Sequence, residues 1–149
     1  MLYWITYYTK KGLKMKIKFR DGLWYFAHPY TCKDEDGNYI LGGEEANFRL
    51  CCYRAAQLIE RGFVIYAPIA HTHPIHLSYP QFVGQSVHDM WYELDNAFIQ
   101  SAGFTGIILA PLWETSKGCI AEKEMFEGLG REIRHFDYVL NLAQEKWND

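Results

Sequence analysis

Gly106-Ile107-Ile108-Leu109-Ala110-Pro111, followed closely by Trp113-Glu114-Thr115-Ser116-Lys117-Gly118-Cys119-Ile120-Ala121-Glu122, decides the fold. The first run is short, continuous and apolar, the pattern of a strand buried on both faces. The second leads into a helical pattern through Phe126 and Leu129. Ser116, Gly118 and Glu122 therefore belong to a strand-to-helix turn, where open α/β sheets bind ligands. A helix N-terminus presents unpaired N–H groups and the positive end of a dipole, which suits a phosphate. Ser116 can cap that helix or meet a phosphate oxygen. Gly118 leaves the backbone open to a ligand. With the helix counted from Gly118 to Gly130, Glu122 falls in its first turn, at the edge of the packed face, where the dipole favours the ionised carboxylate.

The same alternation extends outward. Asp21-Gly22 is a turn, and Leu23-Trp24-Tyr25-Phe26-Ala27 reads as a first buried strand. Glu44 to Arg61 reads as a helix ended by Gly62, with Phe48, Cys52, Ala55, Ala56 and Ile59 on its packed face. Phe63–Ala67 is a second strand stopped by Pro68, and the stretch from Pro68 to Gln85 reads as loop. Ser86–Ser101 is a helix with the stripe Val87, Met90, Trp91, Leu94 and Phe98. Gly103–Pro111 is the third strand, Arg131–Phe136 a fourth, and Asp137–Trp147 a terminal helix packing through Val139, Leu140, Leu142, Ala143 and Trp147. Strands alternating with helices predict one doubly wound, flavodoxin/Rossmann-like α/β domain over 22–149, a parallel sheet with helices on both faces. Residues 1–21 are read either as an added hairpin or as an extension ahead of a natural start at Met15. The polar stretch Cys32–Gly43 is a candidate lid.

The 149 residues suffice for one core. An apolar share of 49% and a charged share of 22% are globular values and exclude a disordered chain. A net charge of −3 argues against an extended nucleic-acid surface. The basic run Lys10, Lys11, Lys14, Lys16, Lys18 and Arg20 reads as a solvated strand face. Cys32, Cys51, Cys52 and Cys119 form neither a disulfide framework nor a zinc pattern, so a reducing, cytoplasmic setting is expected. No apolar run approaches membrane-spanning length.

The loops at the carboxyl ends of the first three strands carry Tyr25, His28 and Tyr30, then His71 and His73, then Ser116 and Gly118. These meet at one sheet edge, the default site in such a fold. Two carboxylates, Asp95 and Glu122, stand on helices beside that edge. Paired acids can cleave a glycosidic bond, one attacking or stabilising the anomeric carbon, the other orienting it or moving a proton. His71, His73 and His76 invite a metal reading, but supporting ligands are lacking. Pocket-lining imidazoles are preferred, with neither metal nor cofactor expected. Arg49 is a weak phosphate candidate, and Arg54 is read as a surface residue.

Four motifs in this order resemble the nucleoside 2-deoxyribosyltransferase-like superfamily, which includes the 2′-deoxynucleoside 5′-monophosphate N-glycosidases, and more closely the DUF1937 family of unknown function. They are Tyr25-Phe26-Ala27-His28-Pro29-Tyr30, Ala67-Pro68-Ile69-Ala70-His71-Thr72-His73-Pro74, Trp91-x3-Asp95, and Trp113-x2-Ser116-x-Gly118-x3-Glu122. The resemblance spans Leu23 to Phe136. It implies that Glu122 is a nucleophile forming a deoxyribosyl ester, that Asp95 orients sugar or base, that Tyr25 stands near the nucleophile, and that Ser116 and Gly118 contact a phosphate. It implies a small-molecule nucleotide or nucleoside as ligand, a homodimer or higher homo-oligomer as assembly, and no membrane partner. His28-Pro29 departs from the Gly-Pro of many superfamily members, and the His71/His73 segment is typical of the DUF1937 family alone.

Two other readings compete. A non-catalytic nucleotide sensor would keep the Ser116/Gly118 turn without needing Glu122. A metal-dependent phosphohydrolase would use His71, His73 and Asp95. Fold alone does not choose among them.

Overall fold

The computed structural model describes residues 4–31, 36–38, 43–79 and 81–145. Its centre is a four-stranded parallel sheet in the order β4-β3-β5-β6, built from β3 (Leu23–Ala27), β4 (Val64–Tyr66), β5 (Gly106–Leu109) and β6 (Glu132–His135). The two central strands are LWYFA and GIIL, buried almost throughout. That is why they read as unbroken apolar runs rather than alternating ones. The edge strands β4 and β6 are only partly buried.

Alternation along the central strands sorts the core into two layers. Trp24, Phe26 and Ile108 pack against α1 (Gly43–Glu60) and α5 (Phe136–Glu145) through Cys51, Ala55, Leu58, Phe136 and Val139. Tyr25, Ala27, Ile107 and Leu109 face α3 (Gln85–Ser101) and α4 (Lys117–Gly128) through Ile99, Cys119 and Phe126. The expected doubly wound α/β architecture is therefore present. At Gly106, paired with Glu132, β5 has no room for a side chain. A Cβ there would run into the Glu132 carbonyl and lie 2.7 Å from the Trp24 ring.

Two elements differ from the sequence reading. The stretch expected to be loop contains a helix, α2 (Pro68–Ser78). Pro68 occupies its first turn, where a missing N–H costs nothing. Pro74 lies inside it, and two hydroxyls bond back one turn: Thr72 to the Pro68 carbonyl at 2.9 Å and Ser78 to the Pro74 carbonyl at 2.7 Å. The packed face of α1 is Cys51-Ala55-Leu58, while Ala56 and Ile59 are exposed. The apolar stripe on this helix is wide, and periodicity alone does not say which part of it meets the sheet.

Ahead of the sheet, β1 (Trp4–Tyr8) and β2 (Lys14–Lys18) form an antiparallel hairpin. The Tyr7 hydroxyl donates to Glu60 at 2.9 Å, and the Arg20 N–H donates to the Gly62 carbonyl at 2.6 Å. The proposed lid across Cys32–Gly43 and the packing of Trp147 fall largely outside the described residues. Cys51, Cys52 and Cys119 are free thiols. Among the described residues, no helix is long and apolar enough to cross a membrane.

Candidate functional site

Tyr25 points from the middle of β3 into the α3/α4 layer and is wholly buried. Its ring is held by Phe104 and Phe126, each with a centroid 5.4 Å away. So fixed, its hydroxyl donates to Glu122 Oε1 at 2.7 Å. Burial, then the nearby Glu122 and Asp95 carboxylates, push the Tyr25 phenol far up, so it remains a proton donor.

Glu122 is not in the first turn of α4. The helix begins at Lys117 with Ser116 as its cap, which makes Glu122 the sixth helical residue, beyond the stretch where the dipole is strong. The expectation of a low, dipole-held carboxylate is therefore corrected. Desolvation pushes Glu122 up to about 8, with Asp95 adding to the rise and the Tyr25 hydroxyl opposing it. Burial pushes Asp95 up to about 7. The Oδ1 of Asp95 is buried without a hydrogen-bond partner, so this carboxyl has an unused acceptor beside a second acid. Near neutral pH the two groups together retain about one proton.

Tyr66 completes the cluster and has no place in the sequence reading. It ends β4 directly opposite Tyr25 in register. Its ring stacks on Phe98 at 4.7 Å, one turn along α3 from Asp95, and its hydroxyl lies 3.1 Å from His71 Nδ1. Burial, then Asp95 and Glu122, raise its phenol too. The sequence signal for it was slight: an aromatic at a strand end. His71 is exposed at the start of α2, next to Tyr66 and edge-on to Phe98. It is therefore joined to the acids through Tyr66, whose phenol feels both carboxylates.

The phosphate candidates lie at the start of α4. Ser116 accepts from the Cys119 N–H at 3.3 Å, a regular N-cap, and its own O–H meets the Cys119 sulfur, which opposes the burial-driven rise of that thiol. A Cβ on Gly118 would meet nothing closer than Ser116 Oγ at 3.7 Å, so the surface there is open. Lys117, the first helical residue, is exposed. Just before the turn, Leu112 adopts a left-handed φ of 65°.

His28, Tyr30 and His73 go elsewhere. His28 is buried between the Pro29 carbonyl (2.8 Å from Nδ1) and Arg54 (2.9 Å from Nε2). Arginine only donates, so Nε2 accepts and Nδ1 carries the proton. Desolvation lowers this imidazole, and Arg54 lowers it further, against the Pro29 bond. Arg54 is thus a half-buried partner of His28 and not a free surface residue. His73 is buried, stacked on Phe48 at 4.3 Å, with Nδ1 at 2.7 Å from the Tyr30 hydroxyl and Nε2 at 2.9 Å from Glu45. Both its nitrogens are occupied. Glu45 also holds Arg49 at 2.7 Å. This Tyr30–His73–Glu45 chain ties the loop after β3 to α1 and α2. The third histidine, His76, receives the Trp91 indole N–H at 3.3 Å. The three imidazoles of α2 therefore face three different partners, and among the described residues no group of three ligating side chains converges.

The model of a domain of unknown function, DUF1937, matches residues 22–138. The chain belongs to that family. Among curated proteins, none matches the chain.

Proposed function

We propose that this member of the DUF1937 family cleaves, or transfers across, the N-glycosidic bond of a (deoxy)nucleoside 5′-monophosphate. The observation that carries this reading is the hydrogen bond from Tyr25 to Glu122, beside an Asp95 carboxyl with an unused oxygen. Glu122 is the nucleophile at the anomeric carbon. As the substrate's ring gains positive charge, the anionic form of Glu122 is favoured, and the Tyr25 O–H stabilises it. The proton of the pair passes to Asp95. Once Glu122 is esterified it carries no charge, Asp95 releases its proton to solvent, and as a carboxylate it takes the proton of the attacking water or orients the second base that resolves the ester.

The phosphate occupies the start of α4, held by free N–H groups, the Ser116 hydroxyl, the open backbone at Gly118 and the charge of Lys117. Tyr30, His28 and His73 shape the first loop around the ligand. Assembly as a homo-oligomer is part of the proposal.

The test is base release from a panel of deoxy- and ribonucleoside 5′-monophosphates, followed by chromatography, with Glu122→Ala as control. Release that disappears in the variant while nucleotide binding persists is the expected result. Normal turnover by Glu122→Ala refutes the mechanism. Tight binding with no release, with or without an acceptor base, replaces it with a nucleotide-binding module.

A further inference from the structure

A nucleobase leaves far more readily if it receives a proton, and the half-buried acid pair is committed to the sugar side. We infer that His71 is the acid that protonates the departing base, with Tyr66 as its positioning residue; this rests on the glycosidic reading above. His71 is the one imidazole of α2 that is both exposed and bonded to Tyr66, the phenol that feels both acids. Its Nδ1 is engaged by the Tyr66 hydroxyl at 3.1 Å, and no contact of the described residues engages Nε2. Tyr66 is itself locked, by stacking on Phe98 and by its register beside Tyr25. The ring of His71 is therefore oriented by a group that touches the site, and its second nitrogen has no protein partner among the described residues. His73 and His28 cannot serve, because both nitrogens of each are already bonded inside the protein.

The step balances as follows. Glu122 forms a bond to C1′ while the C1′–N bond breaks, its electron pair going to the base nitrogen. The imidazolium form of His71 gives its Nε2 proton to that base. In this form Nδ1 also bears a proton, and the Tyr66 oxygen accepts from it. Water then attacks C1′, its proton passes to Asp95, and Glu122 departs as a carboxylate. His71 regains a proton from solvent.

The experiment compares two substrates for wild type and for His71→Gln, Tyr66→Phe and Asp95→Asn. One is a purine 2′-deoxynucleoside 5′-monophosphate; the other is its 7-methylated analogue, whose cationic base leaves without being protonated. General-acid catalysis contributes roughly 10²–10⁴-fold. His71→Gln is expected to lose a factor in that range in kcat on the ordinary nucleotide, and less than about threefold on the methylated one. Tyr66→Phe keeps the ring and should show a smaller loss of the same pattern, in kcat rather than KM. Equal losses on both substrates, or no loss on either, overturn the assignment. So does a substrate-dependent loss that follows Asp95→Asn and not His71→Gln. If wild type turns over neither substrate, the glycosidic reading falls and takes this assignment with it.

Discussion

Replacing Asp95 by Asn should make the protein more stable at alkaline pH while removing function. The carboxyl is raised from an ordinary 3.8 to about 7 by burial, so the folded protein holds that proton more tightly than the unfolded chain does. The stabilisation it brings is complete below the unfolded value and is lost as pH climbs through the folded one. Each pKa unit is worth about 1.4 kcal/mol, so between about pH 5 and about pH 8 the Asp95 share lost is about 3 kcal/mol. Glu122, raised from 4.5 to about 8, loses stabilisation over the same range. Asparagine has the same shape and stays neutral throughout. Urea unfolding followed by tryptophan fluorescence, at fixed ionic strength, should show the wild type weakening as pH rises. The stability difference in favour of Asp95→Asn should grow by about 3 kcal/mol over this range. Removing the aspartate charge also eases the ionisation of Glu122, which acts in the same direction. A difference that stays flat from acid to alkaline pH would refute a buried, proton-holding Asp95.

Tyr25→Phe keeps the packed ring and deletes the donor to Glu122. A hydrogen bond to a charged group is worth about 1.5–3 kcal/mol, so the ascending limb of the pH–rate profile should move up by roughly one to two units. An unmoved limb would mean that this bond does not support the anion. Ser116→Ala removes the cap on α4 and should cost about 0.5–2 kcal/mol in thermal or urea unfolding. It should also weaken nucleoside monophosphates more than nucleosides in calorimetry, and equal weakening of both would remove the phosphate role. Gly106→Ala drives a Cβ into the Glu132 carbonyl between two strands. Overpacking of this kind costs typically 1–3 kcal/mol, read as a lower urea midpoint. A wild-type midpoint would contradict the close pairing of β5 and β6.

The sheet was legible because LWYFA and GIIL are unbroken apolar runs, and such runs in a βα alternation have few other destinations. The Ser116 cap was legible because a serine three residues ahead of the N–H it accepts is a local pattern. What stayed hidden depends on the third dimension. Two prolines and three histidines disguised α2, whose first proline favours a helix start and whose hydroxyls bond back to carbonyls along the turn. Without that helix, nothing in the sequence separates the exposed His71 from the buried His73. Tyr66 needed the register of β4 against β3. The charge balance on Glu122 is not legible because the helix start sets only the dipole, which is weak by the fifth or sixth residue, while the burial that outweighs it comes from the packing of α4 on the sheet.

The strand order has a consequence for synthesis. β3, the first strand of the sheet to leave the ribosome, sits in its middle, with β4 on one side and β5 on the other. After β4 has paired, the second edge of β3 stays open until Gly106–Leu109 emerge, and β6 can join only after that. Loop closure across such sequence distances is slow, and an open apolar edge is prone to wrong pairing in the interval. Tyr25 is on β3, Asp95 on the helix before β5 and Glu122 on the helix after it. The two acids cannot be buried beside the tyrosine until that last central strand has zipped in. The reactive pair therefore comes into being only with the completed sheet, and partly made chains carry ordinary, solvated carboxylates in its place.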